Sequence, residues 1–82
     1  MLKAMDRGAP TPRLAVAAEV RAEIARANLH QTQVADAANI PRTTFRRRLS
    51  GDSPFTVDEL VAVADALNVS VAKFLTPLTP AA

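Results

Sequence analysis

Gln31-Thr32-Gln33-Val34-Ala35-Asp36-Ala37-Ala38-Asn39-Ile40-Pro41-Arg42-Thr43-Thr44-Phe45-Arg46-Arg47-Arg48-Leu49-Ser50-Gly51 is the stretch on which the fold turns. From Gln31 to Ala38, the residues Val34, Ala35 and Ala38 fall on one side of a helix and give it an inner face. Asn39 tolerates the left-handed conformation that ends a helix, and Pro41, with its preset φ of about −65°, starts the next one. That next helix runs to about Ser50, where Gly51 stops it. Phe45 and Leu49, four residues apart, anchor it, whereas Thr43 and Arg47 point roughly the other way. Arg42, Arg46, Arg47 and Arg48 lie within seven residues with no acid among them. Two short helices across a turn, the second cationic, have the geometry that pushes a helix into the major groove of a duplex.

Upstream, Thr11 before Pro12 predicts an N-cap, and no breaker interrupts Arg13 to Ala27. Val16, Val20, Ile24 and Ala27 form the apolar stripe of this first helix, with Glu19, Arg21, Glu23 and Arg26 left for water and Asn28 closing it. Beyond the central stretch, Thr56-Val57-Asp58-Glu59 has capping-box spacing and predicts a fourth helix to Leu67. Its inner face is Leu60, Val63, Ala64 and Leu67, and Asn68 ends it. Ser70 caps a last piece through Leu75, and Thr76 to Pro80 reads as an extended tail. With no hairpin signal and no internal repeat, the expectation is an all-α domain of five short helices. Residues 1–11 read as a flexible arm, 12–75 as the domain and 76–82 as a tail or linker.

Composition bounds the function. Eighty-two residues make one small domain and exclude a two-domain enzyme. Apolar residues make up 49% of the chain, but the aromatics are three Phe, so Ala, Val, Leu and Ile must build the core around them. The absence of cysteine removes disulfides and thiolate chemistry, as is usual in a reducing cytosol, and one histidine with no metal-ligand spacing and no Gly-rich phosphate loop argues against an enzyme. No catalytic residue, metal, cofactor or small-molecule substrate is expected. Nor does any run of 18 apolar residues suggest a membrane partner, so a cytoplasmic protein is expected. Net charge is only +2, but residues 1–52 carry nine bases and five acids, against one base and three acids after them. A basic cluster on a near-neutral protein implies one anionic partner met by one face.

From Leu29 to Gly51 the chain resembles the helix-turn-helix of the lambda-repressor-like (Cro/C1, XRE) family, and Leu60 to Leu75 is similar to that family's fourth and fifth helices. The likeness spans residues 13–75 and rests chiefly on Gln31, the small Ala35 at the helix crossing, the Phe45 anchor and the ending Leu67 to Leu75. The wording from Ile40 to Gly51 is further similar to actinobacterial and actinophage immunity repressors. Three departures from the pattern are visible. Asn28 and Asn39 stand where the family often has Gly, His30 stands where Ser or Thr commonly caps helix two, and Ile24 and Leu49 replace a common Arg–Glu pair. An apolar contact between Ile24 and Leu49 is expected instead.

The resemblance implies double-stranded DNA as the partner. By position it places Arg42, Thr43 and Arg47 at base edges, where Arg favours guanine O6 and N7. Gln31 takes the family's phosphate-gripping position with Thr32 beside it, and Thr44, Arg46, Arg48, Ser50 and the Gly51 backbone are the further phosphate candidates. For Arg48 the competing reading is a side chain laid over helix one or four, and for His30 a surface cap. The three Phe read as core and not as stacking platforms. The function implied is a transcriptional regulator, a phage or prophage repressor or Cro-like switch protein acting by operator occupancy. Its usual form is a homodimer on half-sites about one DNA turn (~34 Å) apart. Phe74, Leu75 and Leu78 offer a small interface for such a pair, or a further domain brings the copies together. The alternative function is an antitoxin that binds a toxin and autoregulates through the same helix.

Overall fold

The computed structural model describes residues 11–78. Five helices follow one another: α1 Pro12–Arg26, α2 Gln31–Ala37, α3 Arg42–Ser50, α4 Val57–Leu67 and α5 Ala72–Leu75, the last running into a 3-10 turn at Thr76–Leu78. The described residues contain no strand. The expected arm up to Pro10 and the end of the expected tail from Thr79 lie outside the described residues.

Each helix sends one side chain to the centre of a single core: Val20, Val34, Phe45, Val63 and Phe74 are the largest fully buried side chains. Such burial contributes about 1.5–3 kcal/mol per side chain and is the main force closing a fold without disulfides. Helix α1 packs against α3, α5 and the 3-10 turn, while α2 packs against α3 and α4. The α2–α3 pair is therefore held between α1 on one side and α4 on the other. Ile24 and Leu49, expected to touch, are both buried in this one core cluster.

The helix ends are set by local chemistry. Asn28, Asn39 and Asn68 have φ of 59°, 58° and 58°, and Gly51 has φ of 84°. Each stop thus uses the left-handed conformation that Asn and Gly adopt at least cost. At α4 the capping box forms as expected: the Thr56 hydroxyl accepts from the Glu59 amide at 3.1 Å, and Glu59 Oε1 accepts from the Thr56 amide at 2.9 Å.

Several expectations are corrected. Helix α2 ends one residue early, α3 starts at Arg42 with Pro41 as its cap, and α5 starts only at Ala72, whose amide donates to Ser70 Oγ at 3.1 Å. Thr76 is helical and not extended: its hydroxyl donates to the Ala72 carbonyl at 3.0 Å, and the turn packs on α1, which together outweigh the extended bias of a residue before proline. Ala27 is exposed, because the chain turns away from the core at Asn28. Glu23 is buried, at 5% exposure, where α1 meets α5, and its carboxylate faces Arg26 Nη1 at 2.5 Å and Lys73 Nζ at 3.7 Å. Arg21 donates to the Leu49 carbonyl instead of facing water alone.

Candidate nucleic-acid interface

The turn between α2 and α3 is closed by backbone bonds from the Asn39 amide to the Asp36 carbonyl (3.1 Å) and from the Ile40 amide to the Ala35 carbonyl (2.9 Å). Ala35, at 1% exposure, lies inside this corner, where a larger side chain would force the helices apart. Phe45 and Leu49 fix α3 from beneath, and Phe45 meets Phe55 edge to face with ring centroids 6.0 Å apart. What remains outward on α3 is Arg42, Thr43, Arg46, Arg47 and Ser50, all exposed.

At its far end α3 is clamped. Arg21 Nη1 donates to the Leu49 carbonyl, one of those that the helix end leaves without a helical partner, and Arg13 Nη1 donates to the Asp52 carbonyl just beyond the C-cap at 3.2 Å. Their positive charges also sit favourably at the negative end of the helix dipole. A Cβ on Gly51 would overlap Leu14 Cδ2, so any side chain there requires the Leu14 side chain to shift.

The cations of α3 divide into three kinds. Arg48 is turned onto α4: its Nε and Nη2 donate to Glu59 Oε1 and Oε2 at 2.8 and 3.1 Å, and its Nη1 donates to Ser53 Oγ at 2.6 Å. Only about a fifth of either side chain of this pair is exposed. Hydrogen bonding from Arg48 holds the Glu59 carboxyl below its ordinary range, and the Thr56 amide adds to the effect. Arg48 thus takes the structural role that competed with phosphate contact. Arg42 pairs across the turn, donating from Nε to Asp36 Oδ1 at 3.1 Å and from Nη2 to Asp36 Oδ2 at 2.6 Å. These bonds hold Asp36 below the usual carboxylate range although both side chains face solvent. Arg46 and Arg47 have no side-chain hydrogen bond or ion pair among the described residues.

Around this face lie the other expected contacts. Gln31 and Thr32, both exposed at the start of α2, line a small notch with Ala35, Arg42, Phe45 and Arg46. His30 makes no side-chain cap, but the Gln33 Oε1 accepts from the His30 amide at 2.8 Å and steadies the helix start. Thr44 is half-buried at the edge. Ser50 Oγ donates to the Arg47 carbonyl at 3.0 Å and accepts from the Asp52 amide at 3.3 Å, a geometry that orders the turn at Gly51. The structure therefore brings Gln31, Thr32, Arg42 and Arg46 around one notch, leaves Thr43, Arg47 and Ser50 exposed along α3, turns Gly51 toward Leu14 of α1 and diverts Arg48 onto α4. Asp36, Glu59, Arg13 and Arg21 were missed as members or supports of the site. For Asp36 the six-residue spacing to Arg42 across a known turn was the available signal.

No group of three or more His, Asp or Glu residues among the described residues is placed to hold a metal ion, and no single helix there is long and apolar enough to cross a membrane. Two helices locked at a small-residue corner, the second presenting cations away from its own core, define a DNA-binding helix-turn-helix module. A helix-turn-helix family model matches residues 20–74, and the chain belongs to that family, of the Cro/C1 (XRE) type. The solved structure of the clp gene regulator ClgR from C. glutamicum is similar to it, with a TM-score of 0.78 and 25% identity, over 83% of this chain and 88% of that one. No match was found among curated proteins. The protein is a DNA-binding transcriptional regulator.

Proposed function

We propose that the protein reads a specific double-stranded operator, as a phage or prophage repressor or Cro-like switch protein, and acts in the cytoplasm by occupying that site. The observation that carries this reading is that Arg46 and Arg47 are exposed and unpaired among the described residues, with Arg47 opposite the Phe45 and Leu49 anchor and Arg46 on the notch shared with Gln31 and Thr32. Arg42, Thr43 and Arg47 read base edges; Arg46, Gln31, Thr32, Thr44, Ser50 and the Gly51 backbone meet phosphates. The wording of Ile40 to Gly51 supports the phage-type assignment, and the likeness to ClgR, a clp gene regulator, supports control of transcription. Two copies act on adjacent half-sites, with Leu75 and Leu78, 40% and 42% exposed, available between them.

Selection from a pool of randomised duplexes tests the proposal. The expected result is one enriched motif, arranged as two related half-sites, whose recovery is lost in the Arg42→Ala/Arg47→Ala double variant. Failure to enrich any motif, or undiminished enrichment by that folded variant, overturns it.

A further inference from the structure

The Asp36–Arg42 pair breaks a local rule twice. Asp36 lies in the last turn of α2, where the helix dipole disfavours an anion, and Arg42 opens α3, where it disfavours a cation. An exposed ion pair contributes little stability, so folding alone does not account for the arrangement. An acid on a surface meant for phosphates also weakens general attraction to DNA. Against these costs stands one geometric gain. Asp36 occupies the Nε–Nη2 edge of the guanidinium, through bonds of 3.1 and 2.6 Å, and leaves the Nη1–Nη2 edge with two parallel donors. That free edge is the fork that matches guanine O6 and N7.

We infer that Asp36 is a positioning residue for sequence reading: its carboxylate fixes Arg42 across the turn so that the end of the guanidinium meets one guanine. The inference rests on the proposal that Arg42 reads a base. An arginine tethered in this way gives up less rotamer freedom on binding than a free one. It also loses its alternatives, since it cannot swing to a neighbouring phosphate without abandoning the carboxylate. Asp36 therefore exchanges general affinity for discrimination at one base pair.

The test uses the full chain and the motif recovered from the randomised duplex pool. Binding is measured to that duplex, to duplexes with each base pair replaced in turn, and to an unrelated duplex, with melting recorded for every variant. Asp36→Ala is expected to melt like wild type, to bind the unrelated duplex more tightly, and to lose roughly tenfold of its discrimination at a single guanine. The same position is lost in Arg42→Ala, and Asp36→Ala adds nothing in the Arg42→Ala background. Asp36→Asn, which keeps one acceptor, falls between. If Arg42→Ala loses that position and Asp36→Ala does not, or if Asp36→Ala tightens operator and unrelated duplex equally, Asp36 is only a competitor for Arg42 and the inference fails. If Arg42→Ala leaves every position intact, the base-reading role of Arg42 has failed beneath it.

Discussion

Replacing Glu59 by Ala should damage the domain more than its place at the first turn of α4 suggests. The carboxylate does two jobs. It accepts from the Thr56 amide as half of the capping box, and it receives two donors from Arg48. Loss of the bond to the Thr56 amide costs about 1 kcal/mol, the Thr56 hydroxyl still capping the helix. The Arg48 pair lies between an exposed bridge, worth about 0–1 kcal/mol, and a fully buried one, whose breaking costs about 3–5 kcal/mol. Because Arg48 keeps Ser53 and some solvent, the lower half of that range applies, and the combined expectation is about 2–3 kcal/mol. For a domain of this size that lowers the melting temperature by roughly 10–20 °C. Thermal and urea unfolding followed by circular dichroism measure it, and an Arg48→Ala cycle should return a coupling of about 1 kcal/mol. The sign with pH follows from the depressed Glu59 pKa. Its contribution is fully present above the unfolded-state value, near 4.5, and is lost as pH falls through the lower folded value. A loss in Glu59→Ala below about 0.5 kcal/mol, or an unchanged acid profile, refutes the reasoning.

Three further outcomes separate the roles on α3. Arg46→Ala should reduce the log–log salt dependence of DNA binding by about one unit with an unchanged melt, whereas Arg48→Ala should lower the melt and leave that slope nearly alone. Arg47→Ala should cost roughly 1–3 kcal/mol at one base pair, seen as a flattened preference there in competition binding. Gly51→Ala should destabilise by about 1–2 kcal/mol in urea unfolding, since Ala at φ of 84° is strained and Leu14 must also move. Asn39→Ala carries the strain without the overlap and should cost about 1 kcal/mol by the same assay.

Much of this molecule was legible residue by residue. Val34, Ala35, Phe45 and Leu49 announce the α2–α3 corner by spacing, Asn39 and Gly51 mark its stops, and Thr56 with Glu59 announces the start of α4. Such signals are local, confined to a turn or two of helix, and the structure has them almost as read. Arg21 and Glu23 were read as wetted because they flank the apolar stripe, yet each meets a group from another helix, 28 residues away for Arg21 and 50 for Glu23. Periodicity says which side of a helix is greasy but not which neighbour's end lies over the border of that side. Arg48 shows the same limit: its angle beside Leu49 allowed either phosphate or a neighbouring helix, and only the position of Glu59 decides. The residues proposed to read bases belong to a third kind, since the sequence supplies their chemistry and the fold supplies only their exposure.

The clamp formed by Arg13 and Arg21 implies a particular pattern of damage. A genetic screen scoring nothing but failure to hold DNA should collect changes at these two α1 positions together with those at Arg42 and Arg47. The first pair would misalign the probe and the second would blunt it. A hit in α1 is thus no sign that α1 touches the duplex.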